Sequence, residues 1–247
     1  MVAVADIVGL APWMAMLAVV IVFVGAATQA SIGVGLGLLA APTLSLMDPS
    51  FIPGALTISL VPLVVGMMWR ERAHIDRTIY KAIPGRFVGS LLGAWVVATG
   101  GQAAVAIVVG VAVLLAVAAS LSSVHFSPTS GHLLVAGTAS GFAGTVAGVG
   151  GPPMAISYQH ADPRILRGSL AAFNTIGLLA FTIPSLLIAG VIGAREVELG
   201  LLLVPGVVGG LWLGKHLIAR LPPDRVRPVV LAVCAASAVV LLASELL

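Results

Sequence analysis

Long apolar runs separated by short polar segments constrain this chain more than any other feature. They cover approximately residues 13–47, 52–69, 79–98, 102–121, 132–160, 168–192, 198–218 and 226–244. A helix needs about 20 apolar residues to cross the hydrocarbon of a bilayer, and these runs reach that length. Only 9% of the 247 residues are charged, whereas a soluble domain carries roughly a quarter. The sequence therefore predicts an all-α polytopic membrane protein whose main surroundings are lipid.

The remaining composition excludes several other classes of protein. The formal net charge is +3, but the basic residues lie in short turns between apolar runs, and no basic groove with stacking aromatics indicates nucleic-acid binding. The single cysteine, Cys234, excludes a disulfide within the chain. The N-terminus has no Lys or Arg before its apolar run, so we expect it to be retained rather than cleaved as a signal peptide.

Three landmarks occur twice, in the same order. Glycine clusters interrupt the first and fifth runs, as ASIGVGLG at 30–37 and TVAGVGGPP at 145–153, and an Asp-Pro pair follows each of them. The third and seventh runs both contain P-G-x-x-x-G-x-x-x-G, at 84–93 and 205–214. Such internal repetition indicates duplication. We predict an N-terminal repeat, 1–125, and a C-terminal repeat, 126–247.

The repeated P-G motif places three glycines on one face of a helix in each half. Small residues at four-residue spacing let two membrane helices approach closely. We therefore predict that these glycines form packing surfaces between the repeats; they are Gly85, Gly89 and Gly93 in one half and Gly206, Gly210 and Gly214 in the other.

The distribution of Lys and Arg tests how the fifth run sits in the membrane. If all eight runs cross, five basic residues fall on one side and six on the other, which gives no orientation. If the fifth run instead turns at Gly148–Pro153 and returns, the loops at 70–81, 161–167 and 215–227 share one side. Ten basic residues then oppose Arg195 alone, and the positive-inside rule makes that side cytoplasmic.

By repeat symmetry the first run would turn at Gly33–Gly37. Each repeat would then contain a broken helix or re-entrant hairpin and three spans, and the two copies would be inverted relative to one another. Inverted repeats with helices broken near the midplane are typical of secondary transporters. Eight complete but kinked spans remain the alternative, because residues 13–32 are long enough to cross unaided.

The two glycine turns are the predicted binding site for a small anion. A half-helix that begins at mid-membrane, such as 152–160, directs free N–H groups and its positive dipole end into a cavity. The candidate backbone positions are Gly33, Gly35, Gly37, Gly148, Gly150, Gly151 and Pro152; the candidate side chains are Gln29, Ser31, Thr57, Ser59, Thr145, Asn174 and Thr175. The alternative for the hydroxyl residues is a hydrogen bond to the preceding turn of their own helix.

Charged residues near the predicted path are few. Arg86, near the start of the third run, either extends to the cytoplasmic headgroups or faces the cavity and adds positive charge to an anion path. Every Asp and Glu is expected in a loop or at a terminus, so the spans carry no fixed negative charge, which suits an anion and argues against a cation pump. The sequence offers no nucleophile–base pair, no HExxH and no carboxylate pair, so we expect no enzyme, metal or cofactor.

At these residues the chain resembles the TauE/SafE sulfite exporter family, also called the toluene-sulfonate uptake permeases. The resemblance rests on the length, the four-plus-four arrangement and the turns at 30–42 and 144–156 with their Asp-Pro pairs; the first turn departs from the family's G-x-G-G-G. It implies transport of sulfite, thiosulfate or an organosulfonate across a bacterial-type inner membrane. The residues alone indicate only a compact anion, and an anion channel or a non-transporting scaffold subunit remain alternatives. They do not determine the oligomeric state.

Overall fold

The computed structural model describes residues 9–121, 129–158, 161–217 and 223–246, and this part of the chain is helical without strands. The helices are α1 Pro12–Ile32, α2 Leu36–Met47, α3 Gly54–Glu71, α4 Ile83–Leu121, α5 Ser130–Ala147, α6 Gly151–Ser157, α7 Pro163–Ile176, α8 Ile183–Ile188, α9 Ala194–Leu217 and α10 Pro223–Leu246. A π-helical turn at Gly177–Thr182 joins α7 to α8 in one continuous rod.

Four helical stretches among the described residues are long and apolar enough to cross a membrane. They are Pro12–Ile32, Arg77–Ala118, Pro163–Ile188 and Ala194–Gly214. Large apolar side chains project from these stretches, including Trp95 at 65% and Ile188 at 88% exposure. Such surfaces are stable against lipid and unstable against water. The prediction of an all-α polytopic membrane protein is confirmed.

Helix α4 is two antiparallel segments joined at Gly101. That residue has a φ of 70° and a ψ of 178°, outside the helical region. A continuous helix would hold Gly89 and Val111 about 33 Å apart. Instead, a β-carbon on Gly89 would lie 2.8 Å from the Phe142 nitrogen, and Val111 lines one crevice together with Phe142. The two predicted runs therefore lie side by side, as 83–100 and 102–121.

The helix breaks at Gly33 and Gly148 turn the chain back on itself. Both glycines have left-handed φ values, 92° and 67°, which a residue with a β-carbon rarely adopts. After the first break, the Leu36 nitrogen donates to the Gln29 side-chain oxygen at 3.0 Å, so α2 begins beside the last turns of α1. After the second, Ser140 of α5 donates to the Gly150 carbonyl. Each break thus produces a helical hairpin.

The polar segment that follows α3 contacts both α7 and the segment that precedes α7, at one end of the helix bundle. The Asp76 nitrogen donates to the Ser169 hydroxyl at 2.9 Å, and the Thr78 and Tyr158 hydroxyls are 2.9 Å apart. This contact agrees with the hairpin arrangement of the fifth run, since eight complete crossings would put these segments at opposite ends. The inverted-repeat relation and the boundary near 125 stay predictions.

Two boundaries differ from the expected ones. Arg164 and Arg167, predicted in a loop, lie in the first turns of α7, because Pro163 occupies its first position and the Asp162 carboxylate caps the Arg164 nitrogen at 2.7 Å. The predicted 215–227 loop is shorter as well: residues 215–217 end α9, residues 223–227 begin α10, and residues 218–222 lie outside the described residues.

The two glycine rows pack against helices from the opposite half of the chain, as predicted. A β-carbon on Gly85 would lie 2.9 Å from the Thr138 nitrogen of α5, and one on Gly210 would lie 2.9 Å from the Ala27 nitrogen of α1. These distances are too short for any side chain, so backbone meets backbone. Helix α4 therefore holds the α5–α6 hairpin, and α9 holds the α1–α2 hairpin.

Candidate functional site

The two glycine turns meet inside the protein and border a small cavity. A β-carbon on Gly37 would collide with the Gly148 carbonyl, and one on Gly151 would lie 3.1 Å from a methyl of Val34. The cavity between them has a volume of about 30 Å³. Its lining comes from α1–α2, α3, α4, α5–α6 and α7: Gln29, Gly33, Val34, Gly35, Gly37, Leu38, Leu60, Val64, Arg86, Gly144, Gly148, Val149, Gly150, Gly151, Pro152, Asn174 and Leu178.

Arg86 reaches this cavity from the first turn of α4. Its side chain is only 2% exposed, so it does not extend to the headgroup region, the other alternative considered for it. Its Nη1 donates to the Ser140 carbonyl at 2.6 Å, and the guanidinium carbon lies 5.3 Å from the centre of the Phe173 ring. Its Nε is buried and has no hydrogen-bond partner within the described part of the chain.

No described carboxylate neutralises Arg86. The described ion pairs form elsewhere, around Glu71 and between Arg195 and Asp48. Removing a guanidinium from water without a counter-ion costs several kcal/mol even after relaxation. A fold that keeps this charge in a cavity has positive potential where a small anion would fit.

Glycines leave the space that the guanidinium occupies. A β-carbon would lie 2.7 Å from Nη1 if built on Gly144 and 2.5 Å from the same atom if built on Gly150, and one on Gly177 would collide with Nε. We did not predict Ser140, Gly144 or Gly177 as functional residues. The row Ser140–Gly144–Gly148, at four-residue spacing along α5 and its C-terminal cap, is the sequence signal that could have revealed two of them.

Backbone and amide groups add further donors around the cavity. The first N–H groups of a helix have no partner within it, and those of Gly37 and Leu38 belong to the first turn of α2. The Gln29 side-chain oxygen is occupied by the Leu36 nitrogen, which leaves its amide nitrogen as a donor. The Asn174 side-chain oxygen would lie 3.3 Å from a β-carbon on Gly150, so this amide borders the guanidinium as well.

The second half-helix is shorter than expected. We predicted 152–160, whereas α6 covers Gly151–Ser157 and residues 159–160 lie outside the described residues. Seven residues align fewer peptide dipoles than the twelve of α2. Arg86 is therefore the one charged side chain in the described lining of the cavity, and the two short helices add only backbone N–H groups to it.

The cavity brings together ten of the fifteen predicted site residues, namely Gln29, Gly33, Gly35, Gly37, Arg86, Gly148, Gly150, Gly151, Pro152 and Asn174. The five hydroxyl residues do not line it. Ser31, Ser59 and Thr175 donate to helix carbonyls, as the alternative for such residues supposed. The Thr145 hydroxyl pairs with that of Thr182 at 3.0 Å, and the buried Thr57 hydroxyl has no partner in the described structure.

A comparison with protein families identifies the family of this chain. The family model described as "Sulfite exporter TauE/SafE" matches residues 17–241, nearly the whole chain. The chain belongs to the TauE/SafE sulfite exporter family. The predicted resemblance is thereby confirmed, and membership of TauE/SafE places the chain among membrane transporters with anionic substrates of the sulfite type.

Other comparisons add nothing to the TauE/SafE assignment. Neither a curated protein nor a solved structure matches the chain at a significant level. Among the described residues, no group of three or more His, Cys, Asp or Glu could hold a metal ion. The candidate site is thus an arginine, two amides and backbone N–H groups around a small cavity.

Proposed function

We propose that this chain is a secondary transporter that binds a small anion in the central cavity and exposes it alternately to the two sides of the membrane. The observation that carries the proposal is Arg86, which is buried in the cavity with no carboxylate of the described residues beside it. A bound anion would supply the missing counter-charge. A cation would be repelled at the same position.

The donors around the cavity suit an oxyanion. The Arg86 Nε would bond one oxygen, and the N–H groups of Gly37 and Leu38 and the Gln29 and Asn174 amides would bond others. Hydrogen bonds to charged groups contribute about 1.5–3 kcal/mol each, so a few of them offset the loss of the anion's hydration. The three glycines around the guanidinium keep it in place and so prepare the site for binding.

We propose sulfite as the substrate. About 10–15 Å³ of such space holds one water molecule, so a cavity of about 30 Å³ accommodates an anion of only a few heavy atoms. An organosulfonate would need extra room for its carbon chain, and thiosulfate carries one additional sulfur. The family's description as a sulfite exporter supports the same choice.

We further propose a bacterial-type inner membrane with the arginine-rich end of the bundle in the cytoplasm. Arg70, Arg72 and Arg77 lie at the same end as Arg164, whereas Arg195 at the other end is paired with Asp48 at 3.0 Å. Basic residues are retained on the cytoplasmic side during insertion. This orientation puts the end of the bundle at which α3 ends, with Glu71, in the cytoplasm.

Each helical hairpin packs against a helix from the other half of the chain, and this arrangement supports a mechanism for alternating access. The α1–α2 hairpin packs on α9, and the α5–α6 hairpin packs on the first segment of α4. The cavity lies between these two units, and rocking of one against the other would open it to one side at a time. Rigid-body motion of this kind around a fixed site is common in transporters with repeated halves.

Uptake of radiolabelled sulfite into proteoliposomes tests the proposal. Wild-type protein should show saturable uptake and counterflow. Arg86→Gln should abolish it, while Arg195→Gln, which removes an exposed arginine of the same charge, should leave it nearly unchanged. Uptake that neither saturates nor shows counterflow would indicate an anion channel, and a complete absence of flux from folded wild-type protein would favour a scaffold subunit.

A further inference from the structure

A partly buried ion cluster lies between the central cavity and the arginine-rich end. Glu71, the last residue of α3, was expected in a loop, but it is only 7% exposed. Its Oε1 lies 3.1 Å from the Arg70 Nε and 3.5 Å from the Arg167 Nε, and its Oε2 lies 3.9 Å from the His74 Nδ1. One carboxylate oxygen is thus shared by two arginines.

The cluster covers the outer side of the first glycine turn. Gly33 lines the cavity, and a β-carbon on it would lie 3.5 Å from the Arg167 Cγ. Arg70 donates through Nη2 to the Ala30 carbonyl at 2.8 Å, at the end of α1. Arg70 and Arg167 therefore hold the turn from two sides, and an anion that leaves the cavity past Gly33 meets them first.

The charges in the cluster do not balance. Two guanidinium groups face one carboxylate, and the Arg70 Nη1 is buried without a hydrogen-bond partner in the described structure. Buried charges are ordinarily paired and buried donors ordinarily bonded. The cluster thus has one positive charge and at least one donor in excess, both of which an additional anion would satisfy.

We propose that Arg70 and Arg167 form a second anion site at the mouth of the cavity, with Glu71 as its tethered occupant. The Glu71 carboxylate presents the same kind of ligand, negatively charged oxygen, as the transported oxyanion. An arriving anion displaces it from the arginines, loosens their hold on the turn at Gly33 and passes inward. The inference rests on the proposed transport of an oxyanion through the central cavity.

Transport kinetics distinguish a tethered competitor from a structural clamp. With sulfite presented at the arginine-rich side of proteoliposomes, Glu71→Gln should lower the KM roughly three- to tenfold, because the competitor is gone. Arg167→Gln should raise the KM by a similar factor while Glu71 stays paired with Arg70. Glu196→Gln makes the same chemical change at the opposite end of the bundle and serves as the matched control. A clamp predicts the reverse for Glu71→Gln, a lower melting temperature with KM unchanged or raised.

A second measurement separates this inference from the central site. In an Arg86→Gln background the central site is disabled, so sulfite should not raise the melting temperature of that variant appreciably. Glu71→Gln/Arg86→Gln should regain stabilisation by sulfite, because its two mouth arginines are unoccupied. If sulfite does not stabilise the double variant, the proposed mouth site is refuted, whether or not the central site binds sulfite. If Glu71→Gln protein does not fold, an unchanged KM for Arg167→Gln overturns it instead.

Discussion

Gly150→Ala is the sharpest test of how the cavity holds its charge. The new methyl would lie 2.5 Å from the Arg86 Nη1, about 0.9 Å short of the 3.4 Å at which ordinary contact begins. The Ser140 carbonyl, which accepts from Nη1 at 2.6 Å, belongs to the backbone of α5, so it cannot move with the guanidinium. We expect the guanidinium to move out of its hydrogen-bonding position.

The size of the effect follows from that displacement. A shift of about 0.9 Å lengthens the bond to the Ser140 carbonyl beyond the ordinary limit of about 3.2 Å. The displaced guanidinium also loses its hydrogen bond to the anion, which costs about 1.5–3 kcal/mol, so sulfite should bind roughly 10- to 150-fold more weakly. Calorimetry on purified protein in detergent measures the affinity, and the melting temperature separates misfolding from lost contacts.

Gly131→Ala serves as the control for Gly150→Ala. Gly131 does not line the cavity, and a β-carbon there meets no atom within 4 Å. This variant should bind sulfite within about threefold of wild type, since it does not touch the guanidinium. A folded Gly150→Ala protein with wild-type affinity would refute the argument that glycine space around Arg86 prepares the site.

Three further predictions concern helix packing, a hydroxyl residue that does not line the cavity, and the orientation of the chain in the membrane. Gly89→Leu should lower the free energy of unfolding by at least about 1–3 kcal/mol, because its side chain meets the α5 backbone. Gly131→Leu, in open space, should leave the melting temperature unchanged. Equal melting temperatures for the two variants would show that Gly89 makes no close contact with α5. Thr145→Val should alter sulfite affinity by less than about threefold, because its hydroxyl is bonded away from the cavity, and tenfold weakening measured by calorimetry at an unchanged melting temperature would contradict this. Cysteines replacing the exposed Arg77 and Arg164 should react with an impermeant maleimide from the cytoplasmic side only, and labelling from opposite sides would exclude the proposed topology.

Position along the chain was enough to locate the hairpin turns. Gly33 and Gly148 stand where an apolar run is interrupted, and a left-handed residue that ends a helix is usually glycine because a β-carbon is strained there. The glycine rows were readable for a similar reason, since four-residue spacing puts them on one face of one helix. Both features are properties of a single segment, which a sequence displays directly.

The position of Arg86 depended on contacts that no single segment displays. Its partner Ser140 is 54 residues away, and Gly177 comes from a third part of the chain. From the sequence, an arginine at the start of a membrane helix is compatible with the headgroups or with a cavity, because helical periodicity gives a face but not the neighbour of that face. Packing of α4 against α5 turned this face inward.

The burial of Glu71 likewise depended on tertiary contacts that the sequence does not display. As a residue at the end of an apolar run it was expected in a loop with the other acidic residues, and its burial depends on Arg167 of α7 approaching from the other half of the chain. Composition and periodicity by themselves determined that this chain is a bundle of membrane helices with two glycine turns, because burial in lipid acts on each helix separately. Which charges are enclosed together was decided only by the tertiary structure, because a buried arginine or carboxylate is set by the helices that surround it.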